Sequence, residues 1–419
     1  MRILHIATAA EGGGAFSAAR RLHEGFVALG LSSKMIVGEG QSIGDKNICR
    51  IARPTGIVRW WRRRENLGSH PVLRGREPFS GPRSIYRGWL EAIQGVDVIQ
   101  LHWVGRFLDY PSFFGSLATH QKVFWRLSDM NPLTGGCHYD DGCGRFLDRC
   151  GFCPQLSEPG KKDPSARALE LKQKVFSRLP PSQLQLITAS QWMHSMVQRS
   201  PLTNRFPAHH LPLGVDTEVF HDPGPEERSA IRAKFNFSPL DRVLLAGAGS
   251  LALRRKGAKM LIETLKKLGV EKGYRVMTFG DAPLSGLGEM EIQHLGKITC
   301  PQDLAGIYAA ADLLLFFPAQ ENLANMLMES LACGTPAVAT KVGGNMDCIT
   351  PGSEGWLVPV ENSEAAAVSI RQHFSLEPPI LIQMRANCRK KAEEHFCQQK
   401  QISKFRDLYE KADPVSSKT

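Results

Sequence analysis

Short unbroken apolar runs recur along the 419-residue chain and alternate with stretches whose apolar positions repeat every three or four residues. Arg2-Ile3-Leu4-His5-Ile6 opens the series as a buried-strand pattern, and Glu11-Gly12-Gly13-Gly14 follows it. Phe16, Ala19, Leu22, Phe26 and Leu29 then mark one face of a helix over 15–29. Residues 34–37, 96–102 and 122–127 read as further strands, 84–93 as a helix, and 186–190 as a strand running into a helix capped by Ser190. The pattern restarts after a Pro- and Gly-bearing segment, 209–217, which suits a hinge, so a domain boundary is expected near Leu213. Beyond it, strands are predicted at 242–247, 276–280 and 313–317, with helices ending near Leu268 and spanning 304–311, and a largely helical tail over 380–409. Strands alternating with helices predict the α/β class, built as doubly wound parallel sheets.

Length allows two or three domains with a core each. The formal net charge is +11 and is unevenly placed: between Arg50 and Arg87 stand ten Arg against two acids, with Trp60-Trp61 beside Arg62-Arg63-Arg64. Such a region attracts phosphates, on a nucleic acid or on an anionic membrane. No apolar run approaches the ~18–20 residues of a membrane span, and the first residues lead into a glycine loop rather than a cleavage site. The expectation is a soluble, cytoplasmic protein. Ten Cys in that compartment are expected as thiols or metal ligands. Four of them, Cys137, Cys143, Cys150 and Cys153, crowd into seventeen residues. Cys150-x2-Cys153 has zinc-knuckle spacing and the first pair is looser; a structural zinc is one reading and a set of buried thiols the other.

The chemistry concentrates in 318–344, PAQENLANMLMESLACGTPAVATKVGG. Glu321 and Glu329 are eight positions apart, so with Glu321 just ahead of a helix and Glu329 inside it both carboxylates can serve one end of a cleft. Asn322 or Asn325 would suit capping that helix. Cys333-Gly334-Thr335-Pro336 stops it, Ala337-Val338-Ala339-Thr340 reads as a buried strand, and Gly343-Gly344 as a turn at its carboxyl end. Two solvated acids on a surface helix are the plain alternative.

This stretch resembles the donor-binding motif of the family-4 retaining glycosyltransferases, a Glu-x7-Glu motif followed by Gly-Thr-Pro and Gly-Gly in register. The resemblance implies the GT-B architecture, two Rossmann-like domains facing across a cleft: 1–213 on the acceptor side, 214–394 on the donor side, with a last helix over 395–419 packing back on the first. It implies that Glu321 binds sugar hydroxyls and Glu329 the ribose, a pairing in which a carboxylate accepts two hydrogen bonds from a vicinal diol. Asn322, Leu323 and Asn325 join the donor-binding set. The family's Arg and Lys after the first strand of the donor domain correspond to Arg255 and Lys256, with Ser250 standing where the Arg is usual and Arg254 an alternative. Gly13 and Gly14 match its phosphate-facing loop, and Ile298 the place where the base stacks. The phrase TGGCHY with Cys-x6-Cys-x2-Cys-Pro resembles the subgroup of colanic-acid, exopolysaccharide and O-antigen enzymes. Ser128-Asp129 stands where many of those carry His-Asp, leaving His102, Asp129 and His138 as acceptor-side candidates.

The implied activity is transfer of a hexosyl group from a UDP- or GDP-sugar to a glycan, lipid-linked acceptor, in bacterial surface-polysaccharide (lipopolysaccharide) biosynthesis. Configuration is retained, and no metal is needed because Arg255, Lys256 and backbone amides neutralise the leaving diphosphate. The place of work would be the inner membrane, as a peripheral protein; nucleic acid is not an expected partner. The other class is a basic nucleic-acid-binding protein with a four-cysteine zinc site, for which Glu321 and Glu329 would be replaceable.

Overall fold

The computed structural model describes residues 1–9, 13–39, 45–53, 71–212, 214–248, 253–269, 273–285, 287 and 292–412. Trp60, Trp61, Arg62, Arg63, Arg64 and Ser250 lie outside them. The chain divides into two compact units, Met1–Pro212 with Gln401–Thr419, and Leu213–Lys400.

In the first unit β1 (Arg2–Ala9), β2 (Ser32–Glu39), β3 (Ile48–Arg50), β4 (Val98–Leu101), β5 (Lys122–Leu127), β6 (Leu184–Thr188) and β7 (Ala208–His210) form one sheet in the order β3-β2-β1-β4-β5-β6-β7. Every pairing in it is parallel. A parallel sheet buried on both faces needs near-continuous apolar strands. The observed β4 and β5 place Ile99, Leu101, Val123, Trp125 and Leu127 in the main core, and each also buries one polar residue, Gln100 and Arg126. In the second unit β8 (Arg242–Ala248), β9 (Tyr274–Gly280), β10 (Ile292–His294), β11 (Leu313–Phe316), β12 (Ala337–Thr340) and β13 (Gly355–Val358) run in the order β10-β9-β8-β11-β12-β13, again all parallel. Each order reverses once, between β1 and β4 and between β8 and β11. Loops leaving the carboxyl ends of the strands there diverge and leave a crevice, where open α/β sheets take their ligands.

The helical tail is two helices, Pro378–His395 and Gln398–Ala412. They break at Phe396-Cys397, where Val215 N–H donates to the Phe396 carbonyl at 2.7 Å and Gln398 N–H to the Val215 carbonyl at 3.0 Å. Ile402, Phe405 and Tyr409 of the last helix pack with Leu22, Phe26, Val98 and Phe124 of the first unit.

Ser190 caps its helix as the sequence predicts, accepting from Met193 N–H at 3.1 Å. The 84–93 helix shrinks to Trp89–Ala92. Its front half is instead drawn to buried Asp109, which accepts from Ser84 N–H and meets the guanidinium groups of Arg83 and Arg87. That long-range anchor outweighs the local helical preference. Asn322 and Asn325 do not cap the helix Asn325–Ala332; Ala324 holds the cap position and no side chain bonds it.

Candidate functional site

At the β8/β11 reversal of the second unit two cations converge on one carboxylate. After β8 the chain makes a 3-10 turn, Arg254–Lys256, and enters the helix Ala258–Leu268 through Gly257. Gly257 has φ 74°, and a Cβ there would lie 1.8 Å from the Phe317 carbonyl oxygen, so only glycine lets the turn press against the exit of β11. Ala319 N–H closes the contact on the Arg255 carbonyl at 2.8 Å. The turn thereby delivers both cations to Glu321. Arg255 Nη1 donates to Glu321 Oε2 at 3.1 Å and to the Gln320 carbonyl at 3.0 Å, and Lys256 Nζ donates to the same Oε2 at 3.0 Å.

Glu321 is held from behind as well. Its Oε1 accepts from Asn322 N–H at 3.1 Å, Gly344 N–H donates to the Asn322 carbonyl at 2.6 Å, and Thr340 Oγ1 donates to the Pro318 carbonyl at 2.6 Å. Gly343, at φ 48°, passes so close that a Cβ would stand 1.6 Å from the Glu321 carbonyl oxygen. Burial pushes the Glu321 carboxyl up, but Lys256 and Arg255 outweigh it and hold the pKa at about 2. The carboxylate is therefore ionised at any working pH, and two cations face one acid, leaving the trio with a surplus positive charge. Both cationic side chains stay partly exposed, 15 % for Arg255 and 24 % for Lys256. Of the two arginines it is Arg255 that meets Glu321; Arg254 turns out to solvent, 3.9 Å from Glu361.

Glu329 lies inside the helix Asn325–Ala332, eight residues beyond Glu321, buried, and accepts from the Tyr308 hydroxyl at 3.3 Å. Asn322 and Leu323 are buried, Asn325 is half-buried at the first position of the helix, and half-buried Ile298 follows β10 ahead of the helix Pro301–Ala310. Tyr308 and Gly343 are participants the sequence did not single out. Nothing local marks Tyr308, since its helix reads as an ordinary amphipathic one; Gly343 was visible as a turn but not as the backing of Glu321.

In the first unit Gly13, φ 77°, caps the helix Gly14–Ala28 with open space where a Cβ would be. His102 follows β4, but its ring is buried: Nε2 lies 3.0 Å from His5 Nδ1, and the two rings stack at 5.3 Å. Burial, with Arg126 and the neighbouring histidines, holds both His5 and His102 well below the usual histidine range. Asp129 and His138 do meet. His138 Nδ1 lies 2.6 Å from Asp129 Oδ2, Trp103 Nε1 donates to the same oxygen at 2.7 Å, Asn131 N–H donates to Oδ1 at 2.9 Å, and Ser80 Oγ is 3.0 Å from His138 Nε2. Burial raises the Asp129 carboxyl, and His138 with these donors pulls it below the usual carboxylate range. The order Ser-His-Asp has the outline of a nucleophile relay, but Ser80 is fully buried and is no exposed nucleophile. Ser80 and Trp103 join the cluster from distant parts of the chain, which no local pattern could reveal.

Cys137, Cys143, Cys150 and Cys153 are free thiols that line one pocket together with Asp140, Arg145 and Ser165. Among the described residues no group of three or more His, Cys, Asp or Glu side chains is closed up to metal-ligand spacing.

Residues 242–375, which contain the whole Glu321 cluster, match the profile of the family described as Glycosyl transferases group 1. A D-inositol 3-phosphate glycosyltransferase of Saccharomonospora viridis is 29 % identical over 216 residues, 48 % of this chain and 49 % of that one. The chain thus spans about half the length of this curated relative. Over its whole length the fold is similar to a sucrose-phosphate synthase from Thermosynechococcus elongatus, with a TM-score of 0.69, 15 % identity, and 98 % and 99 % of the two chains covered. It is similar also to Anabaena Alr3699/HepE in complex with UDP, with a TM-score of 0.67, 14 % identity, and 97 % and 99 % covered. The fold is that of the GT-B glycosyltransferases, and the group 1 signature lies on the second unit.

Proposed function

We propose that the chain is a group 1 glycosyltransferase that moves a hexosyl group from a nucleotide-diphosphate sugar to a hydroxyl of a glycan acceptor. The observation that carries this reading is the convergence of Arg255 and Lys256 on the single carboxylate of Glu321, inside the segment that matches the family. In the reaction the bond from the anomeric carbon to the diphosphate oxygen breaks and its electron pair leaves with the diphosphate. Arg255 and Lys256 face the charge that develops there, in a site already shaped before substrate arrives. The acceptor oxygen forms the new bond and its proton passes to the departing phosphate oxygen, with retention at the anomeric carbon. Glu321 takes sugar hydroxyls while keeping the two cations in place, and Glu329 takes the ribose diol. With two cations on the diphosphate the transfer proceeds without a divalent metal. The acceptor is lipid-linked and belongs to surface-polysaccharide synthesis, and the basic 50–87 region brings the protein to an anionic membrane.

A panel of UDP-, GDP- and ADP-sugars, assayed for hydrolysis and transfer with and without a chelator, tests the reading. One or two donors should be turned over with chelator present, and the product anomer should match the donor's. A protein that binds single-stranded oligonucleotides and responds to no nucleotide or nucleotide-sugar would overturn it. Replacing Arg62, Arg63 and Arg64 with Ser should release the protein from anionic vesicles in a flotation assay; a variant that floats as well as the parent removes the membrane part alone.

A further inference from the structure

We infer that Arg126 is the fixed charge behind a phosphate site at the start of the helix Gly14–Ala28, a positioning residue that draws a substrate's phosphate group to the amides above it. The first observation is that this guanidinium is buried without a counter-ion. Arg126 is 2 % exposed and lies near the carboxyl end of β5. Its Nη2 donates to the Ala15 carbonyl at 3.1 Å, its Nε has no partner, and among the described residues no carboxylate pairs with it. A guanidinium carries five N–H donors, and one carbonyl answers little of that capacity. Burial lowers its pKa only to about 10, so the charge persists at neutral pH. Leu101 pairs with Trp125, so His102 and Arg126 come next on the two adjoining strands. His102 and its partner His5 are held neutral by burial, and so bring no negative charge. Tyr409 donates its hydroxyl to Gln100 Oε1, and burial holds that hydroxyl well above the usual tyrosine range, so no phenolate forms. A buried charge left without a partner costs the fold stability, and such departures are kept where function uses them.

The second observation is the helix end itself. No side chain caps the helix at Gly13, and its first turn holds no acid. Its first internal bond runs from Ser17 N–H to the Gly13 carbonyl at 3.2 Å, so the Ala15 and Phe16 N–H groups ahead of it have no carbonyl of the helix to donate to. A Cβ on Gly13 would meet nothing within 4 Å, which leaves room at the cap. With fifteen residues the helix is long enough to present a positive end.

The bond from Arg126 to Ala15 joins the two observations, because it fixes a positive charge under the same turn whose amides are unanswered. Backbone N–H groups backed by a cation are the arrangement that holds phosphate. In the low dielectric beneath the turn that charge acts over a longer reach than it would in water. Arg126 touches Ala15 rather than the ligand, so it works by setting the field and the place of the amides. The transferase reading enters only in naming the carrier: the phosphate belongs to the donor diphosphate or to a phosphate-bearing acceptor. The site itself stands on the geometry of the first unit.

The probe is inorganic phosphate, read in a full-length Arg255→Ala/Lys256→Ala double variant so that the second unit's cations do not contribute. Millimolar phosphate should raise the melting temperature of that protein by a few degrees over chloride at equal ionic strength. Adding Arg126→Met should leave the melting temperature without phosphate level or higher and abolish the gain, while Arg126→Lys, which keeps the charge, should restore part of it. Ser17→Asp, adding a carboxylate to the first turn, should raise the melting temperature and also abolish the gain. If Arg126→Met does not fold, the double variant and Ser17→Asp decide. The site is overturned by no gain in the double variant, by an equal gain with Arg126→Met, or by a Ser17→Asp protein that responds to phosphate as before. Glu11 lies outside the described residues; a Glu11→Gln protein that melts lower and gains more from phosphate would make that acid the counter-ion and overturn the site as well. Calorimetry on Arg126→Met with Arg255 and Lys256 intact then names the carrier. Tenfold weaker UDP or GDP marks the donor, and unchanged UDP and GDP with tenfold weaker glycerol 3-phosphate marks the acceptor. A protein that keeps the phosphate gain but turns over no nucleotide-sugar keeps this site and loses the transferase reading.

Discussion

One carboxylate in each unit organises its surroundings, and the two are treated differently. Glu321 faces two side-chain cations, both partly exposed, and is held against them by a glycine on either side, Gly257 and Gly343. Asp129 is enclosed by Trp103, the Asn131 amide and His138, with Ser80 closing the far side of the ring. The first arrangement sets two partly exposed cations on one carboxylate, a net positive charge over the three side chains. The second is closed on itself, each donor used on a neighbour, and its chemistry is to fix positions. A buried network completed internally stiffens a fold, whereas one with surplus charge at an accessible edge is built for a ligand.

The largest expected effect tests the surplus charge directly. Lys256→Ala and Arg255→Ala should each lower transfer efficiency by roughly 10²–10³, the range for removing one preorganised donor from developing charge. Calorimetry should show the loss on nucleoside diphosphates and little change on the nucleoside. Equal losses on both would mean that the two cations merely hold the loop, and the contrast between the units would fail.

Next in size is Glu329→Ala. If Glu329 accepts from the ribose diol as proposed, the variant should weaken nucleotide binding by roughly 1.5–3 kcal/mol, the scale for a hydrogen bond to a charged group. Unchanged affinity in a folded variant takes Glu329 out of the site.

A pH profile with one substitution reads the buried histidines of the first unit, since His373 of the second unit, which burial lowers to about 4, adds to any fall in the parent protein. Glu321, with its pKa at about 2, keeps its charge throughout the range in which the protein is handled. His5 and His102 sit together in the first unit, with His23 and Arg126 acting on them, and burial holds both histidines neutral. Their folded pKa values lie below the unfolded ~6.5, so the unfolded chain binds more protons below that pH. The stability they contribute is complete above about pH 6.5 and is lost as the pH falls towards their folded values, at up to about 1.4 kcal/mol per pH unit for each group. Thermal melts should fall from pH 7 to pH 5 and His5→Phe should flatten the fall; melts that stay level over that range would sink the assignment.

What the sequence disclosed follows from how local each signal is. Apolar runs and glycine stops placed β1, β5, β8, β11 and β12 and the stretch around Glu321, because burial on both sheet faces and left-handed turns are written in adjacent residues. The pairing of Arg255 rather than Arg254 with Glu321 was not legible, since it depends on the phase of a three-residue turn set by Gly257 against Phe317. Asp109 cutting short the 84–93 helix was hidden for a related reason: its partners lie about 25 residues back in the chain. His102 reads as a strand-end residue facing a site, yet its ring turns into the core, a choice made by His5 on the neighbouring strand.

The smallest effect is expected at Ser80, and it is the sharpest test of the contrast. Ser80→Ala removes one hydrogen bond, 3.0 Å from His138 Nε2, at a side chain that is itself fully buried. If the Asp129 network is structural, the variant should lose about 0.5–1.5 kcal/mol of stability and keep both nucleotide affinity and turnover, since Asp129 and Trp103 still hold His138 from the other side. His138→Gln, which keeps a polar group in the ring's place, should behave similarly. A Ser80→Ala protein that melts like the parent but turns over tenfold more slowly would point the other way. His138 would then be handling a proton during transfer, and the first unit's closed network would belong to the chemistry as fully as the open one around Glu321.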